Sequence, residues 1–476
     1  MRRAARAAAT ALLAMGLGGC SLAPRYQYPP AMPAPPPAYK EGGDWKVATP
    51  ADATPRGRWW TMFGDSELDA LESQLSGANQ SLKASLARLE EARAQTRFAR
   101  ASWFPTINAV GGVTRGESST YAPTYVHGEE RTGNSINLGG DLSYEVDLFG
   151  RIRNTVAGAR ANEQATAGDL ASLDLALHAE LAGDYFTLRG LDEEQRFLDR
   201  TVADYARALE LTQNLYHGGA AAISDVQQAQ AQLESAKTQA EDTRLRRAQT
   251  EHAIAVLVGQ EASSFSLAAR NDETPLPAPT VDPGLPSQLL ERRPDVAAAE
   301  RRVAAANATI GVARAAYFPV ITLDGSAGWQ SPMTSTLLTA PAQYWSIGPQ
   351  ALLTVFDAGA HAAQSAQAHA AFDEQVANYR NTVLTAFQDV EDNIAALRQL
   401  QRESVSQAAA VTATQGALEQ ANLRYKGGIV TYLEVVSTEN AALAARLAAA
   451  DIEIRRANAT VLLVRALGGD WHPSRP

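Results

Sequence analysis

Two stretches of this chain, about Arg151–His217 and Ala360–Lys426, run without a proline and carry apolar residues at coiled-coil spacing. Leu198, Val202, Tyr205 and Leu209 step by four and three, and so do Val383, Phe387, Val390, Ile394 and Leu397. At a rise of 1.5 Å per residue each helix is about 100 Å long. Such helices do not fit an ordinary compact domain, so the pattern predicts an elongated, mainly α body. Each stretch ends at a Gly-Gly pair, a helix stop and turn signal. After it the chain returns as a helix of about 38 residues, ending at Gly259 or Gly468.

The two halves look alike. Trp103-Phe104-Pro105 matches Tyr317-Phe318-Pro319 at an offset of 214 residues. Tyr216-His217-Gly218-Gly219 matches Tyr425-Lys426-Gly427-Gly428 at 209, and Asp225-Val226 matches Glu434-Val435 at the same 209. Near-constant offsets over separated landmarks argue for a duplicated unit, the first carrying five extra residues between 105 and 216. Each unit reads as helix, two strands, very long helix, shorter helix. The first helices are expected over Ser66–Ser102 and Ser287–Ala316, each stopping before an aromatic-Pro pair. A Pro-rich stretch, Pro275–Pro286, divides the halves. The expected boundaries are a signal peptide over 1–19, a Pro-rich anchored segment over 20–58, a first repeat over 59–270, a linker over 271–287, a second repeat over 288–471 and a tail over 472–476.

Between the helices, within 106–148 and 320–356, lie segments of period two. Ile136, Leu138, Gly140, Leu142, Tyr144, Val146 and Leu148 alternate with Ser135, Asn137, Gly139, Asp141, Ser143, Glu145 and Asp147. Ile321, Leu323, Gly325, Ala327 and Trp329 form one face of a third strand, and Trp345, Ile347, Ala351, Leu353 and Val355 one face of a fourth. The first, Ile107–Val113, is shorter. A transmembrane strand has about 9–11 residues, one face apolar and the other polar. Four strands cannot close a barrel, and open edges in lipid leave backbone groups unpaired. A membrane role therefore forces oligomerisation, with eight strands from two copies or twelve from three. A soluble sandwich with one wet face alternates similarly, but four strands are too few for one, and the chain carries an export signal.

That signal is Arg2, Arg3 and Arg6, an apolar run from Ala7 to Leu17, then Gly18-Gly19-Cys20. The run is too short to span a bilayer. The site resembles a lipobox, which makes Cys20 the acylated first residue of the mature chain. The following Pro-rich segment, Pro24–Pro37, acts as an extended spacer. Cys20 is the only cysteine, which excludes disulfides and cysteine-based zinc sites. With 42 Lys+Arg against 52 Asp+Glu, the net charge of −10 argues against nucleic acid as a partner. His361 and His369 lack a third ligand, and the acidic run Asp389, Glu391, Asp392 is spread round a helix. There is no zinc-protease motif, phosphate loop or nucleotide fingerprint. Neither cofactor nor metal nor enzymatic chemistry is expected.

Several motifs together resemble the TolC-like outer-membrane efflux lipoproteins, the NodT branch. They are Leu285-Pro286-Ser287 followed by Leu289 to Val296 (with Arg292-Arg293-Pro294-Asp295), Ala299-Glu300 and Ala315-Ala316-Tyr317-Phe318-Pro319. Trp59-Trp60 with Phe63, Asp65 and Leu68, the junctions Tyr144–Gly150 and Val355–Gly359, and Leu467-Gly468-Gly469-Asp470-Trp471 also fit. The resemblance spans about Trp45 to Trp471. It implies a homotrimer, hence a 12-stranded transmembrane barrel continuing into a long coiled-coil α-helical barrel. It also implies an outer-membrane exit duct for small toxic compounds. The implied partners are a periplasmic adaptor, an inner-membrane transporter of the resistance-nodulation-division type, and outer-membrane lipid. It places the periplasmic aperture at Tyr216 and Asp225 on one hairpin and Tyr425 and Glu434 on the other. Ser437 stands where many members carry an aperture Asp, and Asn440 where some carry an Arg. Three Glu434 side chains would then form a ring of focused negative potential. The competing classes are a periplasmic coiled-coil adaptor or structural lipoprotein, which does not need duplicated membrane-type strands, and a lipoprotein enzyme, for which no motif speaks.

Overall fold

A computed structural model describes residues 21–27, 40, 57–117, 119–121, 131–270, 276, 279 and 293–469. The signal segment, Cys20, most of both Pro-rich stretches, and Asp470-Trp471 lie outside the described residues.

The coiled-coil pattern becomes continuous helix at both places where it occurs. A 3-10 turn, Trp59–Phe63, precedes α1 (Ser66–Ala78) and α2 (Gln80–Ala101). The strands β1 (Thr106–Glu117) and β2 (Thr132–Glu145) follow, then α3 (Arg151–His217) and α4 (Ile223–Leu257). The second half repeats the order as α5 (Pro294–Ala315), β3 (Val320–Ser331), β4 (Gln343–Leu352), α6 (Ala360–Lys426) and α7 (Tyr432–Ala466). Helices α3 and α6 are 67 residues each. The return helices α4 and α7 have 35 residues each, slightly fewer than the sequence predicts.

The first helix is not the single span expected over Ser66–Ser102. It breaks at Asn79, whose ψ of 126° leaves the helical region. The side chain explains the break. Its Nδ2 donates to the Leu257 carbonyl at 2.9 Å, and its Oδ1 accepts from the Leu82 N–H at 3.0 Å. Asn79 thus caps α2 while tying it to the end of α4, a local competition with the helix that asparagine performs well.

The long helices start on carboxylates. Asp147 accepts from the Ile152 and Arg153 N–H groups at 3.0 and 2.9 Å. Asp357 accepts from the Gly359 and His361 N–H groups at 2.9 and 2.8 Å, and its hydrogen bonds with His361 and Gly359 hold its carboxyl down to about 2. These otherwise orphaned donors at a helix N-terminus are satisfied by an anion that the helix dipole also favours.

The chain divides into two compact units that each draw on both halves of the sequence. The first comprises residues 1–29, 89–166 and 299–379. It holds a four-stranded antiparallel sheet in the order β1-β2-β3-β4. Beside the sheet, Ala99 packs on Ile152 and Val156, and Ile310 on Ala313 and Ala368. The second comprises residues 30–88, 167–298 and 380–476. One of its cores joins Trp59, Trp60 and Phe63 to Phe186 and Tyr185, with the Phe63 and Phe186 rings 4.7 Å apart. In this unit a Cβ added at Gly190 of α3 would lie 2.1 Å from Ile454 of α7, so only glycine permits that helix approach.

Two ion-paired triads repeat the internal duplication. Arg246 pairs with Glu194 and Asp242, and Arg455 pairs with Glu403 and Asp451, every member displaced by the same 209 residues.

Candidate functional site

The sheet sorts its side chains by face. Directly paired residues share a face. One row reads Asn108, Asp141, Ser326, Ser346, and the row beside it Ala109, Gly140, Ala327, Trp345. The period of two thus gathers most of the apolar residues on one side, while Val110, Val320, Tyr344 and Leu352 fall on the other. Ile107, Leu142, Gly325 and Ile347 form the next apolar row. That side is bare in the single chain: Ile107, Val113, Trp345 and Ile347 are 73, 75, 77 and 65% exposed. A contiguous apolar sheet face of this kind is a surface for lipid or a partner. The first strand, read from sequence as Ile107–Val113, is longer than expected and pairs with β2 along its whole length.

On the opposite face the polar side chains bond across strands. Ser143 Oγ donates to Asp324 at 2.7 Å, as does Thr322 Oγ1 at 2.7 Å, and the Ser326 and Ser346 hydroxyls meet at 2.8 Å. Strands β1 and β4 are paired on one side only among the described residues. At the sheet's base Trp103, Phe104, Tyr317 and Phe318 are exposed by 45, 70, 50 and 39%. Aromatic rings of this kind gather at membrane–water interfaces. No helix among the described residues is long and apolar enough to cross a membrane.

The residues placed by resemblance at the aperture lie at the turns of the second unit. Gly219 and Gly428, at φ of 75° and 69°, end α3 and α6. The Gly218 and Gly427 N–H groups donate back to Asn214 and Leu423. The four helices share a core there, with Tyr205 and Leu209 of α3, Leu233 of α4, Ala421 of α6, and Tyr432 and Val435 of α7. Tyr425 packs against this core, its ring 5.3 Å from that of Tyr432. Tyr216 is 42% exposed and contacts His217 edge-on. Asp225 lies in the first turn of α4 and accepts from the Ala222 N–H at 3.4 Å. Glu434 lies at the matching position of α7, half exposed, and takes an ion pair from Arg424 Nη1 at 2.6 Å. Ser437 and Asn440 are exposed on the following turns.

Two residues at this end were not singled out by the sequence. Arg424, next to Tyr425, clips the α6–α7 turn through Glu434. The first hairpin has Leu215 at the matching position, so its turn has no such clip. Glu439, only 8% exposed, is buried two turns into α7. Burial, with Asp204 adding to it, pushes its carboxyl up to about 7. Its signal in the sequence was slight: a lone acid in the register of Val435, Val436 and Leu443.

The segment behind Cys20 is held by buried polar side chains of the first unit. Ser21 Oγ donates to Asn154 Oδ1 at 3.0 Å, Asn307 Nδ2 donates to the Pro24 carbonyl at 3.0 Å, and Tyr26 OH donates to Glu300. Among the described residues no group of three or more His, Cys, Asp or Glu side chains is placed to hold a metal ion.

Comparison with known proteins agrees with this geometry. The family model described as outer membrane efflux protein matches residues 71–260 and 285–469. Outer membrane protein OprJ of Pseudomonas aeruginosa is 32% identical over 476 residues, covering 100% of this chain and 98% of that protein. Cation efflux system protein CusC of Escherichia coli O6:H1 is 30% identical, over 96% of this chain and 97% of its own. The solved Campylobacter jejuni CmeC outer membrane channel superposes with a TM-score of 0.87 at 25% identity, covering 96% of each chain. A sheet with one exposed apolar face and two helices of 67 residues fit an outer-membrane efflux channel, and the chain belongs to the outer membrane efflux protein family.

Proposed function

We propose that three copies of this chain close their sheets into one twelve-stranded barrel, through which small toxic compounds leave the cell. The observation that carries this reading is the sheet itself. Its apolar face is continuous, its polar face is hydrogen-bonded across strands, and β1 and β4 each have one edge unpaired among the described residues. In lipid an open edge is strongly unfavourable, and pairing β1 of one copy with β4 of the next removes every edge. Twelve strands leave a water-filled lumen, whereas eight are filled by their own side chains.

In this reading the duct serves a tripartite pump. An inner-membrane transporter of the resistance-nodulation-division type supplies energy, and a periplasmic adaptor meets the hairpin turns. The duct catalyses no reaction. The Arg424–Glu434 clip, with Asp225 on the other hairpin, tunes the opening, while Tyr216, Ser437 and Asn440 are exposed positions on the same two hairpins. Cys20 carries the acyl chains. Support for that role comes from the three buried polar groups that seat Ser21, Pro24 and Tyr26, the segment directly behind Cys20, on the first unit.

Native mass spectrometry of the detergent-purified full chain tests the assembly. A trimer with acyl mass on Cys20 is the expected species. A monomer or dimer as the sole membrane-derived form contradicts it. In planar bilayers Asp225→Ala and Glu434→Ala should each change single-channel conductance; no change in either removes both residues from the aperture.

A further inference from the structure

A cleft of about 700 Å³ opens between α3, α6 and α7 in the second unit. Its wall joins aromatic and apolar groups, Phe197, Tyr205, Leu211 and Leu443, to three carboxylates, Asp204, Glu419 and Glu439. Among them Glu439 is buried, 8% exposed, and its Oε2 has no hydrogen-bond partner among the described residues. Buried polar atoms are nearly always paired, so an unpaired carboxylate oxygen on the wall of a cavity marks a place for an incoming donor.

The cations on the wall do not fill it. The Arg446 guanidinium lies 4.8 Å over the Phe197 ring and donates to Gln415. Arg207 is paired with Asp204. The remaining charged wall groups are Glu419 and Lys426 of α6, and the neighbouring core receives the apolar Val226, Ala229, Leu233 and Ala236 from α4. No cation figures among the groups that set the proton affinity of Glu439; burial and then Asp204 raise it.

We propose that this cleft binds a primary organic ammonium with an aromatic or branched aliphatic body, the ammonium donating to Glu439 and the body lying against Tyr205, Leu211 and Leu443. The charge complementarity favours a cation over an anion or a neutral ring. A primary ammonium supplies the N–H donor that a quaternary one lacks. Binding takes Glu439 as the carboxylate, so the proton it carries near neutral pH passes to solvent as the ligand enters. A ligand seated there bridges three of the four helices that share the core at the hairpin turns.

The test uses the purified full-length protein in detergent and 1-naphthylmethylamine, which is protonated at neutral pH, with 1-naphthylmethanol as the uncharged comparison. Calorimetry at pH 7.5 should show saturable amine binding, at least tenfold tighter than the alcohol. Glu439→Gln should bring the amine down to the level of the alcohol. Glu419→Gln, on the outer wall, should change it less than twofold. Wild-type affinity for the amine should rise from pH 6 to 8, and in Glu439→Gln it should be flat. Unsaturable binding, equal loss in Glu419→Gln, or undiminished binding in Glu439→Gln each overturns the proposal. The readout is direct binding, so its failure leaves the exit-duct reading untouched.

Discussion

At the scale of single residues, the informative groups are those whose neighbours differ from what their type suggests. Glu439 has the highest stake. Its folded proton affinity is raised from 4.5 to about 7. The folded chain therefore holds a proton that the unfolded chain releases, so stability is full below pH 4.5 and declines as pH rises to about 7. Glu439→Gln should stabilise the protein at pH 8 by about 1–2 kcal/mol and leave it unchanged at pH 4.5, measured by chemical unfolding at both pH values. Equal effects at the two pH values would remove burial as the cause. Arg424 and Glu434 behave differently, because both side chains are about half exposed, 50 and 40%. A double-mutant cycle with Arg424→Ala and Glu434→Ala should give a coupling of about 0.2–1 kcal/mol that shrinks with added salt. Neither residue's partner is readable along the sequence. Glu434 is an ordinary helix-start acid until Arg424, ten positions away, is brought against it by the turn.

Among the elements, the long helices and the sheet were the most legible. Proline-free heptads, Gly-Gly stops and strict alternation each rest on local periodicity, and periodicity survives folding. The bounds of α3 and α6 fall at Arg151, His217, Ala360 and Lys426, as the sequence predicts. The first helix was misread because its break has no proline, and Gly77 beside it stays within the helix. Asn79 interrupts it through a side chain that reaches the Leu257 carbonyl, 178 residues away, and that contact belongs to tertiary structure. Asn79→Ala should therefore cost about 1–3 kcal/mol, since it removes both a cap and the partner of a buried carbonyl. Thermal or denaturant unfolding checks this; an effect below 0.5 kcal/mol would mean that the helix break is set elsewhere. The strand β1 was underestimated because its glycines, Gly111, Gly112 and Gly116, weaken the apolar signal although the ladder with β2 runs on.

For the molecule as a whole, the sheet has meaning only as part of an assembly. Four strands with an exposed apolar face are a liability in water and incomplete in lipid. The account joins the copies edge to edge and turns the row Asn108, Asp141, Ser326, Ser346 toward a lumen. With Asp141 and Asp324 repeated in every copy, that lumen is negative, and Asp141→Asn together with Asp324→Asn should lower the cation-to-anion permeability ratio in planar bilayers. An unchanged ratio would place the charge selectivity at the hairpin turns. The most direct test of the central claim is cysteine scanning along β3 in reconstituted liposomes, made clean by the absence of any cysteine other than Cys20. A membrane-impermeant thiol reagent should label cysteines at Asp324, Ser326 and Gln330 and spare those at Leu323, Gly325 and Ala327, a strict alternation of two. Uniform labelling of both faces would contradict a lipid-embedded barrel.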